Sequence, residues 1–396
     1  MRKASGATFI ALCVLVPLCA WADTARDSAV NPGNAVHLGA TDAPNAITSN
    51  GEADNAGEAG GTQNATDSFL NEAACACYST DCDICEPSCG ILEFFGPLAV
   101  INQHPPSILF LAPIPEPAAV CAPGQRFLRL KLDWTNLIIR ELDSGIIADY
   151  DFEMLRAEAN YSTHLGRGEL NAQLPVIYRG HGMLDGIIAD WHSAFSLLNG
   201  LRDNYPDGMY RYIIATREGL VFNDDGDSFG LGDLSVSYKH PLWNRGDGSN
   251  AAALRVAAKL PTGDPSEAMG SGNWDIQIGG LYQRQLSRKL RGYANVDWVF
   301  TGAPDWDNIS HQDILATLWA VEYAWKQRTT IVLEYRTQRN PLRLGSFEAD
   351  KDSQDLVLGF NHRVNGGLVW SGGFAEDINP ETSPDLLLFS YLAWEQ

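Results

Sequence analysis

The chain is short of positive charge. Its 396 residues carry 28 Lys and Arg against 49 Asp and Glu, for a formal net charge of −21 and a pI near 4.6. A surface of that sign has few cations with which to displace phosphate counterions, which excludes a general nucleic-acid binder. Long apolar runs are also missing. A bundle of transmembrane helices needs repeated runs of about 20 apolar residues. With 45% hydrophobic residues and a mean hydropathy of −0.16, only the extreme N-terminus comes close. No zincin helix, nucleophile elbow or Gly-rich phosphate loop is present. Residues 23–68 lack every aromatic and every Lys. Built from Ala, Gly, Asn, Asp, Thr and Ser, they cannot bury enough apolar area to offset ordering entropy, and they read as a disordered leader.

What is present begins with an export signal. Arg2 and Lys3 precede the apolar stretch Phe9–Leu18, and Ala20-Trp21-Ala22 makes a small-x-small cleavage site, so 1–22 reads as a signal peptide. Beyond it, Cys75, Cys77, Cys82, Cys85, Cys89 and Cys121 are an even number in an exported chain, which suits disulfides. Five of them fall in a Cys-rich segment at 69–92, with Cys121 as the distal partner. The Cys82-x-x-Cys85 spacing also suits zinc or thiol exchange, although no His is interleaved, and no metal is expected. Residues 93–124 are Pro-rich and extended, and either lead into the following domain or plug it.

From 125 to 396 the texture is strands. Leu128, Leu130, Leu132 and Trp134 alternate with Arg129, Lys131 and Asp133, the period of a strand with two different faces. The same alternation predicts twelve strands, near 127–134, 154–164, 168–178, 232–242, 251–260, 274–286, 290–300, 313–325, 329–338, 354–364, 367–375 and 385–395. One segment, 183–202, instead has helical spacing through Trp191 and Phe195. Connections alternate between short (Gln327-Arg328) and long (339–353), as in a transmembrane antiparallel up-and-down β-barrel with short periplasmic turns. Loop parity favours twelve strands, with 209–222 a ribbon inside one extracellular loop; counting 209–222 and 108–111 as barrel strands gives fourteen. Trp134, Tyr161, Tyr238, Tyr282, Trp298, Trp325, Tyr335 and Trp394 fall on outward faces near strand ends, where aromatic girdles meet lipid headgroups.

Several stretches resemble an uncharacterised family of exported bacterial proteins, the domain of unknown function numbered 3187. They are Phe95-Gly-Pro-Leu with Asn102-Gln103, Trp134-Thr-Asn136, Gly182-Met-Leu-Asp185 leading to Trp191-His192-Ser-Ala-Phe195, Gly232-Asp233-Leu with Tyr238-Lys239, and Lys259-Leu-Pro-Thr-Gly-Asp264. The resemblance implies a place in the outer membrane and supplies no catalytic residues. The last strand, 386–394, resembles the C-terminal recognition strand of such barrels, which makes the barrel-assembly machinery an expected partner beside outer-membrane lipid and lipopolysaccharide.

The inward face carries the functional signal. Its bases are Arg129, Lys131, Arg156, Lys239, Arg255, Lys259, Arg336 and Arg363, and its acids Asp133, Glu158, Asp275, Asp297, Glu322, Glu334 and Asp355. Most of the bases precede residue 262 and most of the acids follow it. Opposed walls of charge would orient a small polar solute in a narrow channel; the same charges, paired, would close the lumen with 95–111 or the 183–202 helix filling the rest. The expectation is a narrow channel or transporter for small solutes, with a closed structural or surface-interaction barrel as the alternative. His192 beside Ser193 has no third residue to orient it, and neither an enzyme nor a cofactor is expected. Trp191, His192 and Phe195 read instead as a loop helix capping or plugging the barrel.

Overall fold

The computed structural model describes residues 92–396 except 183, 185, 187–205, 207, 246–247, 379–381 and 385. Its strands are β1 (Arg126–Asp143), β2 (Ile146–Leu165), β3 (Gly168–Gly180), β4 (Arg211–Thr216), β5 (Gly219–Asp224), β6 (Ser228–Leu231), β7 (Leu234–Asn244), β8 (Asn250–Leu260) and β9 (Asp275–Ser287). They continue with β10 (Leu290–Phe300), β11 (Ser310–His311), β12 (Ile314–Lys326), β13 (Thr329–Gln338), β14 (Leu342–Arg343), β15 (Ser353–Asn365), β16 (Leu368–Asp377) and β17 (Leu386–Glu395). Twelve of them (β1–β3, β7–β10, β12, β13 and β15–β17) pair antiparallel in one closed ring. The ring shuts where β1 meets β17, with Trp134 opposite Leu388. Closure leaves no unpaired sheet edge, which is the condition for a sheet in lipid.

The twelve-strand count therefore holds, and the residues that would have raised it to fourteen lie elsewhere. β4 and β5 form a hairpin laid against the upper part of β2, with Ile147 opposite Ala215. Residues Pro105–Ile108 make a single helical turn, α1, which two prolines start and which no strand neighbours. One boundary differs from the sequence reading. Where a long loop was expected between 134 and 154, β1 and β2 continue as an 18- and 20-residue hairpin. The apolar run Leu137-Ile138-Ile139, with Phe152 and Tyr150 opposite Leu137 and Ile139, and Ile147 opposite Leu142 sustain it, and Ser144 and Gly145 turn it with φ of 41° and 90°. Because β1 pairs with β17 only as far as Asn136, the hairpin rises beyond the ring.

Alternation sorts the side chains. Along β9, Asp275, Gln277, Leu281 and Gln283 point inward and are buried, while Ile276, Ile278 and Tyr282 point outward and are exposed. Outside, apolar residues such as Leu254, Val256 and Val296 form a band. Of the expected girdle, Tyr161, Tyr282, Trp298, Trp325 and Trp394 are exposed, and Trp134, Tyr238 and Tyr335 are half-buried. One apolar cluster lies inside the ring, where residues 98–101 and Ile114 meet Val332, Val357, Leu387 and Phe389, and a larger one sits at its long-loop end. There Tyr150, Phe152, Tyr210, Tyr212 and Phe222 pack with Phe110 and Leu111. Tyr150 and Tyr212 meet edge to face at 5.5 Å.

Candidate functional site

The lumen is occupied by the chain's own residues 93–125. Glu93 N–H donates to the carbonyl of Gln327 at 3.3 Å, at the short-turn end of the barrel. From there one leg, 93–104, climbs toward the long loops; α1 turns the chain, and a second leg, 109–125, descends to the start of β1. Prolines at 97, 105, 106, 113, 115 and 117 remove N–H groups and prevent the segment from joining a ladder. A buried main chain without a ladder still needs partners for its remaining N–H and C=O groups. The barrel wall supplies them with side chains.

On the ascending leg, Phe95 and Gly96 N–H donate to the two oxygens of Glu322 at 2.9 and 3.1 Å. Leu98 N–H donates to Glu334. Lys131 Nζ donates to the Ala99 carbonyl at 3.1 Å, Asn361 Nδ2 to the Gly96 carbonyl at 3.2 Å, and Arg336 to the Val100 carbonyl. At the top, Asn102 Nδ2 reaches Asp355 and Ser383, and Gln103 Nε2 donates to Asp133 at 3.0 Å. His104 is buried edge-on against Tyr150, with ring centroids 5.6 Å apart. Tyr150 belongs to the hairpin above the ring, so His104 lies beyond the membrane-spanning rows. Burial lowers the pKa of this imidazole from 6.5 to about 3.

The descending leg is gripped by its carbonyls and its N–H groups alike. Lys259 Nζ donates to Leu109 O at 3.1 Å, Arg255 to Ile114 O, and Lys239 Nζ to Pro117 O at 3.2 Å. Leu111 N–H donates to Asp275 at 2.8 Å, Ala119 N–H to Gln283 at 3.1 Å and Cys121 N–H to Glu169 at 3.0 Å. Asn295 takes both main-chain groups of Glu116: its Oδ1 accepts from the N–H and its Nδ2 donates to the carbonyl, each at 3.1 Å.

The fifteen inward charges singled out from the sequence therefore face the lumen. Lys131, Arg156, Lys239, Arg255, Lys259, Arg336, Asp133, Glu158, Asp275, Asp297, Glu322, Glu334 and Asp355 are buried; Arg129 is half-buried over the Tyr391 ring and Arg363 is half-buried beside Glu93. The bases do not form a free positive wall, because local acids pair with them. Arg156 meets Glu158 at 2.6 Å, Lys131 meets Asp133 at 3.1 Å, and Arg336 meets Asp355 at 3.4 Å. Arg255 lies between Asp297 at 2.8 Å and Glu116 at 3.2 Å. Lys259 is a hub, with Asp233 at 2.5 Å and Asp275 at 3.4 Å. The two motifs of the family resemblance meet here, since Asp233 also accepts from Gly263 N–H at 2.8 Å.

Sequence reasoning missed Glu116, Glu169, Asp233, Asn295, Gln283 and Asn361. The signal was available for the strand-borne ones, which share the inward parity of charges that were counted; Asn295 precedes Asp297 by two positions on β10. Cys121 was expected in a disulfide. It is instead a buried free thiol whose pKa burial and the neighbouring Glu169 carboxylate push up. The physical reason is its position on the descending leg, where its main chain is bound by Glu169 and by His164 Nδ1 at 2.9 Å. Cys75, Cys77, Cys82, Cys85 and Cys89, and with them Trp191, His192 and Phe195, lie outside the described residues. Among the described residues no group of His, Cys, Asp or Glu could hold a metal ion.

Little space remains. Two cavities of about 30 Å³ each flank the segment, one against β10, β12 and β13 and one against β2, β3, β7 and β8. Ile101 and Ile114 border both and so stand between them. Each has room for a water or two.

Comparison with known proteins follows the same line. The COG4313 outer membrane channel from Pseudomonas putida F1 aligns with a TM-score of 0.50 at 11% identity, over 70% of this chain and 97% of that one. The Ralstonia pickettii toluene transporter TbuX aligns with a TM-score of 0.36 at 11% identity, over 77% of this chain and 98% of that one. At such identities the likeness is one of fold. No curated protein matches. The family model described as "Protein of unknown function (DUF3187)" matches residues 81–393, and the chain belongs to that family.

Proposed function

We propose that this protein is an outer-membrane channel for small solutes, held shut by residues 93–124 as a plug. The observation that carries the reading is how the plug is held. Side chains of the wall bind its main chain by single contacts to water-compatible groups and by no continuous ladder. Within the ring its apolar contact with the wall is made by residues 98–101 and Ile114 against Val332, Val357, Ala375, Leu387, Phe389 and Tyr391, and by Ala118. Water can replace each of the hydrogen bonds one at a time, so the segment can leave a barrel that remains closed by its own sheet. The outward apolar band and the exposed Tyr and Trp near strand ends support placement in the outer membrane. The fold likeness to the P. putida channel agrees. Both plug ends sit at the short-turn end, the periplasmic one by analogy with such barrels, so release is toward the periplasm.

The test is planar-bilayer recording of refolded full-length protein. Wild type is expected to be silent or to open rarely. Ile101→Asp with Ile114→Asp sets two carboxylates against each other between the plug legs without touching the wall, and is expected to give discrete conductance steps. A variant that is inserted, heat-modifiable and still silent would return the closed structural barrel as the better reading.

A further inference from the structure

Through its hydrogen bonds the wall reads the plug as a polypeptide, while apolar side-chain packing within the ring is concentrated on residues 98–101 and Ile114. Of the bonds that hold it, most go to N–H and C=O groups and few to side chains; Asn102, Gln103 and Glu116 are the main exceptions. The paired grip of Asn295 on Glu116 repeats what a neighbouring strand would do, one acceptor and one donor for the two main-chain groups of a single residue. The spacing fits as well. Arg255 and Lys259 are four residues apart on β8, about 13 Å along a strand. They hold carbonyls five residues apart, at Ile114 and Leu109. Five residues in a polyproline-type conformation would span about 15 Å, comparable to the separation of the clamps, with the chain here turning at Leu109 and bending at Phe110 before it extends. The cavities beside Ile101 and Ile114 leave slack where side chains project.

From this we infer that the lumen is a binding site for extended oligopeptides, recognised through their main chain, and that the plug occupies it as an internal stand-in. The inference rests on the channel reading for its route, since a peptide reaches the site when the plug has left it. Proline-rich peptides suit the descending wall, where Lys239, Arg255 and Lys259 ask only for carbonyls. A sugar or an aromatic hydrocarbon has no such alternation of donors and acceptors at this pitch.

The test uses full-length Ile101→Asp/Ile114→Asp protein in detergent and a dye-labelled peptide of residues 112–119, read by fluorescence anisotropy. Three peptides are compared: the native sequence, a scrambled sequence of the same composition, and one N-methylated at the residues matching Glu116 and Ala119. Native and scrambled peptides are expected to bind within about three-fold of each other. N-methylation removes donors to Asn295 and Gln283 and is expected to weaken binding at least ten-fold. Asn295→Ala in the same background should weaken the native peptide comparably. Should the loosened variant fail to show the heat-modifiable folded band, Asn102→Ala/Gln103→Ala replaces it. Absence of binding, or equal binding after N-methylation, overturns the inference; so does binding by the native sequence alone, which would mark the site as specific to its own plug. Conductance without peptide binding would leave the channel reading standing alone, and binding without conductance would do the converse.

Discussion

The two legs of the plug differ in the acids they meet. Bases bind carbonyls of both legs and have acidic partners of their own. On the ascending side Lys131 has Asp133 and Arg336 has Asp355. On the descending side Arg255 has Asp297, Lys259 has Asp233 and Asp275, and Lys239 has Glu169 at 3.3 Å. If the descending leg left, the wall behind it would keep its ion pairs. The ascending leg faces Glu322 and Glu334, which form no ion pair among the described residues. Glu322 is satisfied by Phe95 and Gly96 N–H together with Tyr293 OH and Thr330 Oγ1, the last at 2.7 Å. Both carboxylates are fully buried, and removing that leg takes the Phe95 and Gly96 N–H groups from Glu322, leaving it Tyr293 and Thr330, and the Leu98 N–H from Glu334. On the channel reading, the ascending leg is expected to be the anchor and the descending leg to move first.

The largest effect expected tests the self-sufficient wall. Lys259→Met leaves Asp233 and Asp275 buried without their cation and also drops the bond to Leu109. Breaking a buried pair on one side costs about 3–5 kcal/mol. The urea midpoint of the folded barrel should fall accordingly, and conductance bursts should appear. A midpoint unchanged from wild type would mean that Lys259 does not hold the two walls and the leg together. Next comes the anchor. Glu322→Gln keeps one acceptor oxygen but loses the charge that strengthens four bonds, for about 1.5–3 kcal/mol. Amide hydrogen exchange locates the loss. In wild type, 109–121 should exchange faster than 95–101; in the Glu322 variant that order should vanish or reverse.

A smaller effect comes from the turn that joins the legs. His104 is neutral when buried beneath Tyr150, with its pKa depressed from 6.5 to about 3. Released into water, it binds a proton below pH 6.5. Docking of the tip is therefore strongest above pH 6.5 and weakens by about 1.4 kcal/mol for each unit the pH falls between those values. Open probability should rise on acidification in wild type and stay flat in His104→Gln. Equal pH dependence in the two proteins would assign the effect to the wall.

Much of this was legible in the sequence, and the limits have physical causes. The period-two alternation in β8, β9 and β12 is strong because one face meets lipid and the other polar groups, so the twelve strands and the inward charges could be named. The β1–β2 extension was missed because the runs Leu137-Ile138-Ile139 and Ile146-Ile147 break that alternation, and along β2 above the ring both faces are covered, Tyr150 and Phe152 on one and Asp149, Asp151 and Glu153 on the other. The plug's path was open in the sequence because prolines exclude a ladder without saying where the chain goes. Counting inward charges alone, and leaving out Asn295, Gln283 and Asn361 on the same faces, hid the fact that the lumen is lined to bind a main chain.

The smallest effect marks where the comparison stops. Glu93, at the foot of the ascending leg, pairs with Arg363, which also lies 3.8 Å from Glu395. These side chains are 26% to 36% exposed, so solvent screens the pair, and its worth is at most about 1 kcal/mol. Glu93→Gln should shift plug release by less than that, and raising the salt from 0.05 to about 0.5 M should erase the shift, since the screening length then falls to a few ångströms. Glu322, which holds Phe95 two residues beyond the leg's foot and is shut away from water, should keep its effect at either salt concentration. If the two variants responded to salt alike, the anchor would be at the mouth of the barrel rather than within it, and the release order of the legs would have to be drawn again from the short-turn end.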